Sequence, residues 1–115
     1  MADNSKPVYL KLRDIIAASI LDGLYAEGDM LPSVRAFAAE QHANPLTVAK
    51  AYQMFQDQGL VEVQRGVGMY VATGATEKLR TMERDDFLKH VWPPVLRKMQ
   101  RIGLSPASLL AGEEA

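Results

Sequence analysis

The chain has 115 residues, 48% of them hydrophobic and 23% charged, with a formal net charge of −1 and no cysteine. That composition suits one small globular core, and the missing cysteine excludes a disulfide framework, a thiolate zinc finger and a thiol nucleophile. The polar lead-in from Asn4 to Pro7 contains Lys6 and has no apolar run before Tyr9, and no apolar stretch approaches the ~18 residues of a membrane span. A cytoplasmic protein with no signal peptide and no membrane partner is therefore expected.

Tyr9 to Asp22 carries Leu12, Ile15, Ile16, Ile20 and Leu21 at helical spacing, which predicts an amphipathic first helix that Gly23 ends. Tyr25 to Met30 reads as a loop with turn chemistry at Glu27-Gly28-Asp29. Ser33 is an N-cap for a short helix from Val34 to Glu40 whose inward residues are Val34, Phe37 and Ala38. Gln41-His42-Ala43 interrupts. Asn44 is a second N-cap, and Pro45 occupies the first helical position, where a missing N–H costs nothing. In the third helix Val48, Ala51, Tyr52 and Phe55 form an inward stripe, with Leu46, Lys50, Gln53 and Asp57 opposite, until Gly59 stops it. Two capped helices this close together predict a helix-turn-helix over about 33–57, whose second helix commonly enters the major groove of DNA.

Leu60 to Gln64 alternates as a strand and Met69 to Ala72 as a second, joined by a four-residue turn, Arg65-Gly66-Val67-Gly68. A helix-turn-helix followed by a hairpin is a winged helix, with the wing at 61–72. Thr73 to Thr76 is a small-residue linker, and Thr76 is the candidate cap of the next helix. From Glu77 onward Leu79, Met82, Leu88, Val91, Trp92, Val95, Leu96, Met99 and Ile102 recur at helical spacing. Pro93-Pro94 disfavours helix at Trp92 and predicts a kink there or two helices meeting. Gly103 ends that run, and Ser105-Pro106 opens a last turn to Leu110. The fold class is thus mostly α with a small β-hairpin: a winged helix-turn-helix domain over 7–73 and a helical dimerisation tail over 76–115. Leu88, Val91, Trp92, Val95, Met99 and Ile102 are the expected dimer interface, an apolar stripe suited to burial against a second copy.

Up to Ala72 there are six Lys and Arg (6, 11, 13, 35, 50, 65) against eight Asp and Glu (3, 14, 22, 27, 29, 40, 57, 62), so this part carries −2. Nucleic-acid binders are ordinarily basic. Positive charge must then be local, with Arg35, Lys50 and Arg65 on one face. The planar fork of Arg35 matches phosphate or guanine O6/N7, and a basic wing tip suits a narrow minor groove. His42 and His90 are isolated and make no metal site, and Asp85-Asp86 beside His90 reads as a solvated helix face. Gly66-Val67-Gly68 precedes no helix N-terminus and is not a phosphate cradle. With no nucleophile–base pair and no cofactor loop, neither catalysis nor a cofactor is expected.

Pro7-Val8-Tyr9, Gly23-Leu24-Tyr25 with Gly28, Leu31-Pro32-Ser33-Val34-Arg35, Asn44-Pro45 with Thr47-Val48, Ala51-Tyr52, Gly59-Leu60-Val61 and Gly66-Val67-Gly68-Met69-Tyr70-Val71 form an ordered set. Together they resemble the winged-helix domain of the GntR family of bacterial transcription regulators. The tail, with Phe87-Leu88, Trp92-Pro93 and Leu104-Ser105-Pro106, is similar to the short YtrA-type subfamily. The resemblance implies a homodimeric repressor on an inverted-repeat operator in double-stranded DNA, and leaves room for an unidentified small-molecule effector. It implies that Arg35 meets phosphate or a guanine edge, that Ser33, Asn44 and Thr47 bond phosphates, and that Pro45 and Leu46 approach base edges. Lys50 matches a basic position, and Arg65 and Gly66 become the wing tip in the minor groove. The sequence departs from the family where His42 stands in place of the usual turn glycine, and where Pro45-Leu46-Thr47 and Ala49 lack the common arginine. The alternative reading is a winged helix used as a protein-interaction module.

Overall fold

The computed structural model describes residues 6–112; Asn4 and Ser5 of the polar lead-in and the last three residues of the tail lie outside them. The chain forms two compact units, one reaching to Arg80 and one beginning at Thr81. In the first unit α1 (Val8–Leu21), α2 (Val34–Gln41) and α3 (Pro45–Asp57) precede a hairpin of β1 (Val61–Gln64) and β2 (Gly68–Val71), and α4 (Ala75–Asp86) begins. The second unit holds the rest of α4, a π-helical turn (Phe87–Val91), α5 (Trp92–Arg101) and α6 (Pro106–Leu110).

Helix α3 packs against α1, α2 and β1, so its inward stripe is the centre of the core. Val48, Ala51, Tyr52 and Phe55 are all buried, as their spacing predicts, and meet Leu12, Ile16 and Ile20 of α1, Phe37 and Ala38 of α2, and Leu60, Val61 and Val71 of the wing as the buried apolar set. Burial of each large side chain contributes about 1.5–3 kcal/mol. Two expected core residues differ: Ile15 is exposed and Val34 only half-buried. Arg13 is buried instead, its guanidinium 5.7 Å from the centroid of the Phe55 ring. A long alkyl stem lets arginine cover apolar surface while the planar head lies over a ring.

Among the described residues, α1, α2, α3 and α5 end alike. In each, an N–H just past the cap reaches back five positions: Leu24 to Ser19, Ala43 to Ala38, Leu60 to Phe55 and Leu104 to Met99, all at 2.8–2.9 Å. This is the Schellman closure, which requires a left-handed residue just before that N–H. Gly23, Gly59 and Gly103 supply it with φ of 88°, 74° and 80°. In α2 the residue is His42, with φ 55° and ψ 43°, the one non-glycine residue of positive φ among those described. His42 thus sits in the turn that a glycine would occupy without steric cost.

The hairpin pairs Val61 with Val71 and Gln64 with Gly68. Gly68 therefore opens β2, and the expected four-residue turn is three residues long, Arg65-Gly66-Val67, closed by Val67 N–H to the Gln64 carbonyl at 2.9 Å. The segment expected to be a plain loop before Leu31 lies on the other edge of β2. Met30 bridges Tyr70, Val71 N–H reaches the Asp29 carbonyl, and Leu31 N–H reaches the Met69 carbonyl. That pairing uses backbone groups alone, so no side-chain alternation announces it. A Cβ on Gly68 would come within 2.8 Å of Met30 Sδ, so glycine permits the close approach.

Helix α4 starts at Ala75, one residue before Thr76, which is not its cap. The carboxylate of Glu27 accepts from Gly74 N–H at 2.8 Å and Thr76 N–H at 3.4 Å instead. A distant acid thus satisfies donors that a local hydroxyl was expected to satisfy, and favours the positive helix end. At Pro93-Pro94 two helical segments meet, one of the two outcomes expected: the π turn ends at Val91 and α5 begins at Trp92, which is itself helical, with φ −65° and ψ −45°. Its N–H bonds the Phe87 carbonyl five residues back. The wider π turn takes up the helix positions where two prolines lack donors and crowd the carbonyls four residues earlier. It also stacks Phe87 on Trp92, with ring centroids 6.5 Å apart.

Two outcomes follow. His42→Gly relieves a left-handed side chain at a small entropic cost, and raises stability by about 0.5–1 kcal/mol in urea unfolding; a lower midpoint would contradict the turn geometry. The Glu27 carboxyl is held below its ordinary value of 4.5, first by the Gly74 N–H. A lowered folded-state value stabilises above the unfolded one, and that contribution disappears as pH falls through the folded value. Wild type should therefore exceed Glu27→Gln in thermal stability near pH 7, and the gap should close on acidification below about 4.5.

Candidate nucleic-acid interface

The two caps of the helix-turn-helix form as the sequence predicts. Ser33 Oγ accepts from Ala36 N–H at 3.1 Å, and Asn44 Oδ1 accepts from Leu46 N–H at 2.7 Å. Between them, the Tyr52 hydroxyl donates to the Pro32 carbonyl at 2.8 Å, and its ring lies 6.0 Å from that of Phe37. Burial pushes the Tyr52 hydroxyl well above its ordinary range, with Tyr25 and Glu40 adding to the shift, so it stays a donor. Tyr52 thereby ties the middle of α3 to the entry of α2 and sets the geometry of the pair.

Opposite that core, Pro45, Leu46, Ala49, Lys50 and Gln53 are exposed along one side of α3, and Thr47 is half-buried. Leu46 is 80% exposed. Arg35 on the first turn of α2 and Arg65 at the wing turn are also exposed, and neither makes a hydrogen bond or ion pair within the described residues. Lys50 is differently placed: its Nζ lies 4.0 Å from the centroid of the Tyr9 ring, a cation–π contact that draws it toward the start of α1. Tyr9 was not among the expected site residues. It is far from Lys50 in sequence, and no local spacing pairs them.

The Ser33 end of α2 and the wing turn face each other across a concavity of about 420 Å3. Ser33, Val34, Gly66 and Val67 line it together with Met30, Tyr52 and Met69. Two of the expected DNA-contacting residues, Ser33 and Gly66, are thus brought together. Among the described residues, no cluster of three or more His, Cys, Asp or Glu could hold a metal ion, and no helix is long and apolar enough to cross a membrane. His90 instead pairs with Asp86, Nδ1 to Oδ1 3.1 Å, on an exposed face.

A capped helix pair, an outward face on the second helix and a hairpin whose basic tip stands beside the first helix define a winged helix-turn-helix protein. Residues 8–71 match the bacterial regulatory proteins of the gntR family. The chain is similar to the HTH-type transcriptional regulator YhcF of Bacillus subtilis, with 32% identity over 95% of this chain and 88% of that protein. It is also similar to the HTH-type transcriptional repressor YtrA of the same organism, with 38% identity over 66% of this chain and 58% of that protein. A solved GntR family transcriptional regulator from Listeria monocytogenes superposes with a TM-score of 0.76 at 28% identity, over 98% of this chain and 97% of that one. The chain belongs to the GntR family and is a DNA-binding transcriptional regulator of the YtrA type.

The Tyr9–Lys50 contact has a measurable energy. A double-mutant cycle with Tyr9→Leu and Lys50→Met in urea unfolding should show a coupling of about 0.5–1 kcal/mol. Additive changes would mean that the ring does not hold the ammonium.

Proposed function

We propose that this regulator is a homodimeric repressor that acts in the cytoplasm on an inverted-repeat operator, with α3 in the major groove and the Arg65-Gly66 wing tip in the adjacent minor groove. The observation that carries this is the division of α3: one side is wholly committed to the core, and the other, beginning at Asn44, is open from its N-terminal end. The N-terminal residues of such a helix are the ones that contact base edges. Ser33, Asn44 and Thr47 would bond phosphates near the helix ends, and Arg35 and Arg65 bring unpaired guanidinium groups to the same work. Repression is the activity for which the relative YtrA is named.

Dimerisation would use the tail. Leu88, Val91, Val95 and Ile102 are exposed in the single chain, and Phe87 adds to them. Such a run of large apolar side chains is what a subunit interface removes from water. Met99, expected in that interface, is only 7% exposed. It sits at the C3 position of the closure in which Leu104 folds back, so it is already covered and has little surface to give a partner. Trp92 is half-buried and stacked on Phe87.

Selection of bound sites from a random DNA pool tests the reading. Two half-sites in inverted orientation are expected, and Lys50→Ala and Arg65→Ala should each weaken binding while lowering the slope of log K against log salt by about 1. A folded protein that binds no DNA even at low salt would instead support the protein-interaction reading, which the −2 balance of the first 72 residues favours.

A further inference from the structure

On the outward side of α3, polar groups that could read bases are engaged within the chain. Asn44 Oδ1 accepts the Leu46 N–H, the Lys50 ammonium lies over the Tyr9 ring, and Gln53 Nε2 donates to Asp57 Oδ1 at 2.9 Å. The exposed surface left at the leading end of the helix is apolar, Pro45, Leu46 and Ala49, with half-buried Thr47 beside it. Leu46 is the large side chain among them, and it is 80% exposed. The cap bond to its own N–H fixes the backbone from which it projects, and Pro45 before it restricts φ. An exposed leucine elsewhere would mean nothing. Here it stands at the position a groove-docked helix presents first. The major-groove edge carries one apolar group, the C5 methyl of thymine, and apolar side chains read it by contact.

We propose that Leu46, flanked by Pro45 and Ala49, recognises a thymine methyl, so that this regulator reads each half-site largely through apolar contact at a T·A pair. The proposal rests on α3 being the groove helix. Lys50, drawn toward α1, then serves a phosphate, and Leu46 discriminates thymine from cytosine, which offers no methyl at C5.

The test uses the full chain and the operator recovered from the random pool. Each thymine of the half-site is replaced in turn by deoxyuridine, which removes the methyl alone. At one position wild type should lose about fourfold in affinity, the worth of one buried methyl. Leu46→Ala, an exposed substitution whose fold circular dichroism verifies, should bind the two DNAs equally. Leu46→Met, which keeps the apolar reach, should retain the loss, and 5-methylcytosine at that position should bind wild type better than cytosine. Equal affinity of wild type for thymine and uracil at every position overturns the proposal, as does an unchanged loss in Leu46→Ala. Recovery of no DNA at all would overturn the docking mode itself, a different result from DNA bound without dependence on the methyl.

Discussion

Helix α3 must bury one side against three neighbours at once, and the first unit is arranged around that requirement. Phe55 and Val48 have no exposed surface, and Ala51 between them leaves room for α1 to approach. Turning α3 about its axis would withdraw Phe55 from water-free packing at a cost of about 2–3 kcal/mol and would break the Tyr52 bond to Pro32. The outward side is therefore set by the core. Pro45, Leu46, Ala49 and Lys50 face outward because Val48, Ala51, Tyr52 and Phe55 cannot.

The connections between helices serve the same end. Repeated Schellman closures turn the chain sharply after α1, α2 and α3, and after α3 the closure pairs Phe55 with Leu60, both buried, so the exit of the helix delivers the chain directly into the wing. The wing is braced on its far edge by Asp29 to Leu31, the same stretch whose continuation at Pro32 receives the Tyr52 hydroxyl. Hairpin, α2 and α3 are thus joined through one short segment of backbone. This is why the wing turn and the Ser33 cap share a concavity.

In the tail two helical segments meet at the two prolines. A π turn shifts the hydrogen bonding, keeps Trp92 helical and places it against Phe87. The result is an amphipathic element with several large apolar side chains in water, a state that a second copy would relieve.

Much of this was legible in the residues themselves. Ser33, Asn44, Pro45 and the glycines announce local events, because a cap or a left-handed turn depends on a few neighbouring atoms. The 48/51/52/55 spacing shows which side of α3 is buried because helical period alone decides it. What the sequence could not show were pairings across distance. Glu27 on the start of α4, Met30 on the edge of β2, Arg13 over Phe55 and Tyr9 beneath Lys50 all join residues with no shared periodicity. Pro93-Pro94 announced a junction of two helical segments but not its form, since a helix can change its hydrogen-bond register when its surroundings favour continuity. The sequence by itself determined the main elements, the caps at Ser33 and Asn44 and the two-sidedness of α3. Only the tertiary structure decided which outward groups are free, because that depends on what the rest of the fold brings beside them.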